Sequence, residues 1–322
     1  MVAYRIERTG MIIAGLLAFA MCLLSFILQP EKPIPGQPGL CLPPPSQWEL
    51  PRFLSWFINT CTIGVCAIAL WMLNRTYNFI RTTQPVLPAL FLIFVASNPW
   101  ITAELSTSVI LCAVNVLALW ILYGCYNLRN ATQQMFLVAT FLSIGSMFQY
   151  AFLPMILVYI IASVILKISR PKELTAFIFG LIAPYWITIG FGWINPDSFK
   201  MPAPTSLFSG LYNPADLFIL MVSVGSAIFL GIAFGIPSLL KTYAGNSQVN
   251  AMNSVIAWLG IISMLCILID FNNVMAYLAT LFLAVAAQLA NTCALWHFRH
   301  EWLVTFLPGL LFLFFFVFLT FL

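Results

Sequence analysis

Residues 11–28 read Met-Ile-Ile-Ala-Gly-Leu-Leu-Ala-Phe-Ala-Met-Cys-Leu-Leu-Ser-Phe-Ile-Leu, an apolar run without a charged side chain. Arg5 and Arg8 stand before it and Gln29-Pro30-Glu31-Lys32 after it. A cleaved secretory leader has a shorter apolar stretch and ends on small residues. This run is long and its downstream edge is a poor cleavage site, so it reads as an uncleaved membrane span. A helix needs about 20 apolar residues to cross the roughly 30 Å hydrocarbon layer.

Working outward, the run extends over 11–29 and ten more follow. They lie at 53–73, 86–98, 107–126, 134–150, 152–168, 174–192, 215–239, 252–269, 274–294 and 302–322. They are continuous, unlike the short alternating segments of a closed β-barrel. A helix satisfies its own backbone polar groups in lipid, so each run predicts a helix. The expected fold class is all-α: a polytopic transmembrane helical bundle of about 11 spans, with the N-terminus cytoplasmic. Residues 1–322 are expected to form a single integral membrane domain with no soluble domain.

Composition agrees. Of 322 residues, 62% are hydrophobic and 7% charged, against about 25% charged in a soluble domain. Thirteen basic and nine acidic side chains cannot cover a water-facing surface of this length. A net charge of +4 builds no patch for nucleic acid. Seven of the eight cysteines lie in apolar runs, where Cys acts as a small hydrophobe. Cys41 falls in an aqueous loop, and no disulfide framework or metal spacing is present.

Charge orients the chain. With the N-terminus inside and all eleven runs crossing, Arg5, Arg8, Arg75, Arg81, Arg129, Lys167, Arg170, Lys172, Lys241 and Arg299 fall inside. Lys32, Arg52 and Lys200 fall outside, as the positive-inside rule requires. The run 86–98 is short enough to be re-entrant. The pair 134–150 and 152–168, split near Tyr150 to Pro154, reads as a broken hairpin. The proline-rich outer loop 30–52 is expected to be extended and stiff. Asn98-Pro99, Asn195-Pro196 and Asn213-Pro214 mark three outer turns.

The span interiors carry essentially no ionisable side chain, which argues against proton-coupled carriers. Asn59, Thr62, Asn115, Gln149, Gln288 and Asn291 supply amides and hydroxyls instead. Such groups commonly hydrogen-bond between helices, and they would also suit a carrier of an uncharged or amphipathic solute. The outer carboxylates Glu104, Asp197, Asp216 and Asp270 are the candidates for chemistry. A carboxylate at the membrane surface can take a proton or bind a divalent metal, the one cofactor that suits this set. Glu104 is the first choice as catalytic residue and Asp197 the second. Arg52 and Lys200 are the candidates for holding a substrate phosphate. Acids also simply collect on the outer side of such proteins. His297 and His300 read as an interfacial inner loop rather than a metal site.

From Asn127 to Tyr185 the chain reads Met135-Phe-Leu-Val-Ala-Thr-Phe-Leu-Ser-Ile-Gly-Ser-Met-Phe-Gln-Tyr150, then a basic turn, then Phe179-Gly180-Leu-Ile-Ala-Pro184-Tyr185. This stretch, about a fifth of the chain, resembles an uncharacterised family of bacterial polytopic inner-membrane proteins, which carries no activity with it. The layout is faintly similar to membrane glycosyltransferases that use polyprenyl-phosphate sugars, although no Asp-x-Asp motif is present. That resemblance implies transfer at the outer leaflet from a lipid-linked donor. The alternative is a non-enzymatic subunit or scaffold of an envelope assembly, with other membrane subunits as partners.

Overall fold

Asparagine, proline and serine set the helix ends between the apolar runs. The computed structural model describes residues 2–28, 39–80, 85–195, 197, 199, 214–242, 246–296, 313, 316 and 317. Helix α1 spans Val2–Leu28 and α2 spans Arg52–Tyr77. Helix α2 stops at Asn78, whose left-handed φ of 48° closes the last turn through a bond to the Asn74 carbonyl. Helix α3 is Val86–Ala96, and the four-residue α4 is Pro99–Thr102. Asn98 caps α4, accepting the Trp100 N–H at 3.1 Å with proline in the first turn. Ser106 caps α5, Thr107–Tyr123, in the same way.

Helix α6 covers Thr132–Phe148, a short 3₁₀ turn covers Tyr150–Phe152, and α7 covers Met155–Ile165. Helix α8 is Pro171–Gly190 and α9 is Pro214–Thr242. Helix α10 is Ser247–Ile269, capped by Asn246, and α11 is Val274–Trp296 after a 3₁₀ turn at Phe271–Asn273. Among the described residues there is no strand.

Ten of the eleven apolar runs coincide with these helices. Several helices begin earlier than their run: α10 starts at Ser247, within Ser-Gln-Val-Asn-Ala-Met-Asn. A capped first turn needs backbone bonds rather than apolar side chains, so hydropathy misses it. The run 302–322 is described only at Leu313, Phe316 and Val317, where Phe316 packs against Ala18, Met21, Cys22 and Ala96.

Among the described residues five helical stretches are long and apolar enough to cross a membrane. They are Met11–Leu28, Arg52–Tyr77, Pro171–Gly190, Ser247–Ile269 and Phe271–Ala294. The sequence left open whether 86–98 and the pair 134–150 and 152–168 cross fully, and each holds a helix of only 11 residues. At 1.5 Å per residue α3 is about 16 Å long, and α4 follows directly after the Asn98 cap. The α6–α7 hairpin breaks at Gln149, whose backbone is extended.

Helix α11 is the axis. In an 18-residue apolar window of Phe271–Ala294, 89% of residues are buried, against 22% in the corresponding window of the outlying α8. Helices α3, α5, α9 and α10 all pack on it. Its buried face is rich in alanine: Ala276, Ala279, Ala284, Ala286, Ala287 and Ala290. Small residues let backbones approach where lipid supplies no hydrophobic drive between helices. The outer surface carries Trp186, Phe191, Trp193 and many exposed aliphatics, as a lipid-facing surface should.

Helix α8 lies along α6 through Gly180, where any Cβ would run into the Phe136 carbonyl. Pro184 lacks an N–H, so it cannot serve the Gly180 carbonyl one turn back. The Thr140 hydroxyl faces that carbonyl at 3.4 Å, and Ser143 donates to Leu181 at 2.7 Å. Interhelical bonds of this kind average only about 0.6 kcal/mol in membranes, so close packing carries most of the stability.

Candidate functional site

Glu104 sits half-buried in the turn between α4 and α5. Helix α2 holds that turn from beneath. Ser55 accepts the Leu105 N–H at 2.8 Å, and the buried Asn59 accepts the Ser106 N–H at 3.2 Å while donating to the Ile101 carbonyl at 2.9 Å. Thr102 bonds Ser25 at 2.9 Å, and Trp56 donates to the Cys22 carbonyl at 2.9 Å, so α1 joins the same network.

Arg52 opens α2. Its guanidinium donates to the Phe26 carbonyl and lies 4.6 Å over the Phe26 ring. The last four carbonyls of a helix lack intrahelical donors and carry its negative end, which a cation stabilises. Arg52 therefore clamps the end of α1. Asp197 is exposed, beyond α8. Lys200 lies outside the described residues, as do His297 and His300. Among the described residues no group of three or more His, Cys, Asp or Glu is placed to hold a metal.

The amides singled out by sequence join helices. Tyr159 donates to Asn115 Oδ1 at 2.7 Å, and Asn115 donates to Thr280 at 3.2 Å, linking α7, α5 and α11. Asn253 of α10, an amide not singled out by sequence, donates to the Phe79 carbonyl at 3.0 Å. Gln288 instead borders an apolar cleft between α9, α10 and α11, lined also by Gly231, Gly235, Gly260, Met264 and Leu281. There a Cβ on Gly235 would lie 2.5 Å from Gln288 Oε1.

One carboxylate stands apart. Asp270, in the turn between α10 and α11, is 2% exposed. Asn273, three residues on, donates to its Oδ2 at 2.7 Å, and Gln149 at the end of α6 donates to Asn273 Oδ1 at 3.0 Å. Oδ1 of Asp270 is buried with no hydrogen-bond partner among the described residues. Among the described residues the hydroxyl of the fully buried Tyr277 has no well-formed bond either; the Cys266 thiol is beside it, with Asp270 and Tyr150 near. The Tyr150 hydroxyl also faces the carboxylate. Sequence reading noted Asp270 and Gln149 separately. It did not join them, and Tyr277 and Cys266 passed as apolar positions.

Comparison with protein-family models, with curated proteins and with solved structures finds no match for this chain.

Proposed function

We propose that the chain is a non-enzymatic component of a membrane assembly. It crosses a bacterial inner membrane about eleven times with its N-terminus in the cytoplasm. The observation that carries the reading is where the interior polar groups are engaged. Asn59, Asn115, Gln149, Asn253 and Asn273 each bond another helix or turn of the same chain. Such cross-links make a rigid interlocked body suited to presenting fixed surfaces to other membrane subunits. The charge distribution supports the orientation: in this arrangement the short basic turn Lys167–Lys172 faces the cytoplasm. Crosslinking in native membranes followed by purification tests the role. The expected result is a complex of fixed stoichiometry; recovery of the isolated chain alone contradicts it.

One observation favours a second reading, outer-leaflet transfer from a polyprenyl-phosphate sugar. The Glu104 turn is braced by Ser55 and Asn59, and a catalytic acid or base needs such positioning. Glu104 and Asp197 would then be the acids, and Arg52 with Lys200 would meet the phosphate, Arg52 at the expense of its contact with α1. Replacing Glu104 and Asp197 together by alanine should abolish transfer to envelope glycans. Unchanged glycans would remove this reading.

A further inference from the structure

We propose that the turn between α10 and α11 holds one monovalent cation, sodium or potassium, between Asp270, Tyr277 and Tyr150. The argument starts from charge. A carboxylate taken out of water either takes up a proton or is met by a counter-charge, and the cation proposed here is the second of these. Asp270 is 2% exposed, and Asn273 is a neutral partner. The segments that build the site carry no basic residue: none lies between Arg129 and Lys167, and none between Lys241 and Arg299. The N-terminus of α11 contributes roughly half a positive charge along its axis, yet Asp270 makes no side-chain bond to that helix end.

Geometry gives the second strand. Among the described residues two buried polar atoms at the site, Asp270 Oδ1 and the Tyr277 hydroxyl, make no hydrogen bond of good geometry, with the Tyr150 hydroxyl and the Cys266 thiol their weak neighbours. Tyr277 lies near both Asp270 and Tyr150, so the start of α11 and the α6–α7 turn meet at the site. Buried polar atoms without partners are rare in folded proteins and mark a missing water or ion. Here the orphaned atoms are oxygens, the ligand type that hard cations take. Helix α10 ends at this turn, and its last carbonyls add partial negative charge on the same side. Helix ends and broken helices supply the cation sites of many membrane proteins in this manner. A single carboxylate matches a single positive charge. Tyr150 and Asn272 keep part of their surface open and give the ion a way in.

The test is thermal unfolding of the purified full-length protein in detergent. Sodium chloride or potassium chloride replaces choline chloride at constant ionic strength. A ligand that binds only the folded state raises the midpoint saturably. The expected result is a saturable rise of several degrees with one or both ions. Asp270→Asn should lose the rise, and Tyr277→Phe should need several-fold more salt to reach half of it. The same wild-type midpoint in choline, sodium and potassium would overturn the proposal and leave a water in the site. So would a rise that Asp270→Asn keeps in full. If Asp270→Asn does not fold, the wild-type titration and Tyr277→Phe decide.

Discussion

Asn59 and Ser106 are 47 positions apart in sequence and 3.2 Å apart in space, the side-chain oxygen of one accepting the backbone N–H of the other. The same amide donates to the Ile101 carbonyl, so one buried side chain fixes both ends of the irregular segment between α4 and α5. Asn59→Leu keeps the volume and strips both bonds. Each backbone group left buried and unpaired costs about 1–3 kcal/mol. A clear fall in the unfolding midpoint in detergent is expected, with a smaller fall for Ser55→Ala, which releases only the Leu105 N–H. A midpoint unchanged in Asn59→Leu would mean that water already serves this turn.

Two glycines, Gly180 at the α6–α8 contact and Gly64 on α2, call for substitutions of opposite sign. Gly180→Val drives side-chain atoms into the Phe136 carbonyl, and overpacking of that kind costs roughly 1–3 kcal/mol. At Gly64, within α2, nothing lies within 4 Å of an added Cβ. Gly64→Ala should therefore be neutral or stabilising, by up to about 1 kcal/mol, through helix propensity alone. Paired melting curves check both.

Much of this architecture is written locally. The caps at Asn98, Ser106 and Asn246, the proline at the start of α8 and the break after Phe148 follow from residues next to them in sequence. The axial position of α11 is not local. Seven of its 23 residues are alanine, against two of 23 in α10, yet an alanine count alone does not say which neighbours a helix meets. The Asp270 cluster was half legible: Asp270 and Asn273 share one turn, whereas Gln149 reaches them from 124 positions away. The bracing of Glu104 was hidden for the same reason, because Asn59 read simply as an intramembrane amide.

Helix α9 approaches α11 at Gly235, where Gln288 stands in the way of any larger residue. Gly235→Ala should lower the unfolding midpoint. Adding Gln288→Ala should recover most of the loss, since it removes the atoms that a Cβ meets. Residues in contact couple by about 0.5–3 kcal/mol in double-mutant cycles. Strict additivity of the two changes would show that the helices do not meet at this point.

Burial pushes the Cys41 thiol above its ordinary pKa. The thiolate is the reacting species, so a raised pKa lowers the reactive fraction at neutral pH. Alkylation of Cys41 at pH 7.5 should be slower than that of an unburied thiol. Its rate should still be rising at pH values where an unburied thiol has begun to level off. Mass spectrometry of time-resolved labelling reads this, and a rate that levels off below pH 8 would contradict it.

Orientation in the membrane underlies the whole account, and single-cysteine labelling in intact cells tests it most directly. Glu49 and Lys172 are both exposed, one before α2 and one in the first turn of α8. In a background lacking the native cysteines, a membrane-impermeant maleimide should label Glu49→Cys at once. It should reach Lys172→Cys only after the membrane is opened. Immediate labelling of Lys172→Cys in sealed cells, with Glu49→Cys protected, would reverse the orientation; equal labelling of both would mean that no bilayer separates them.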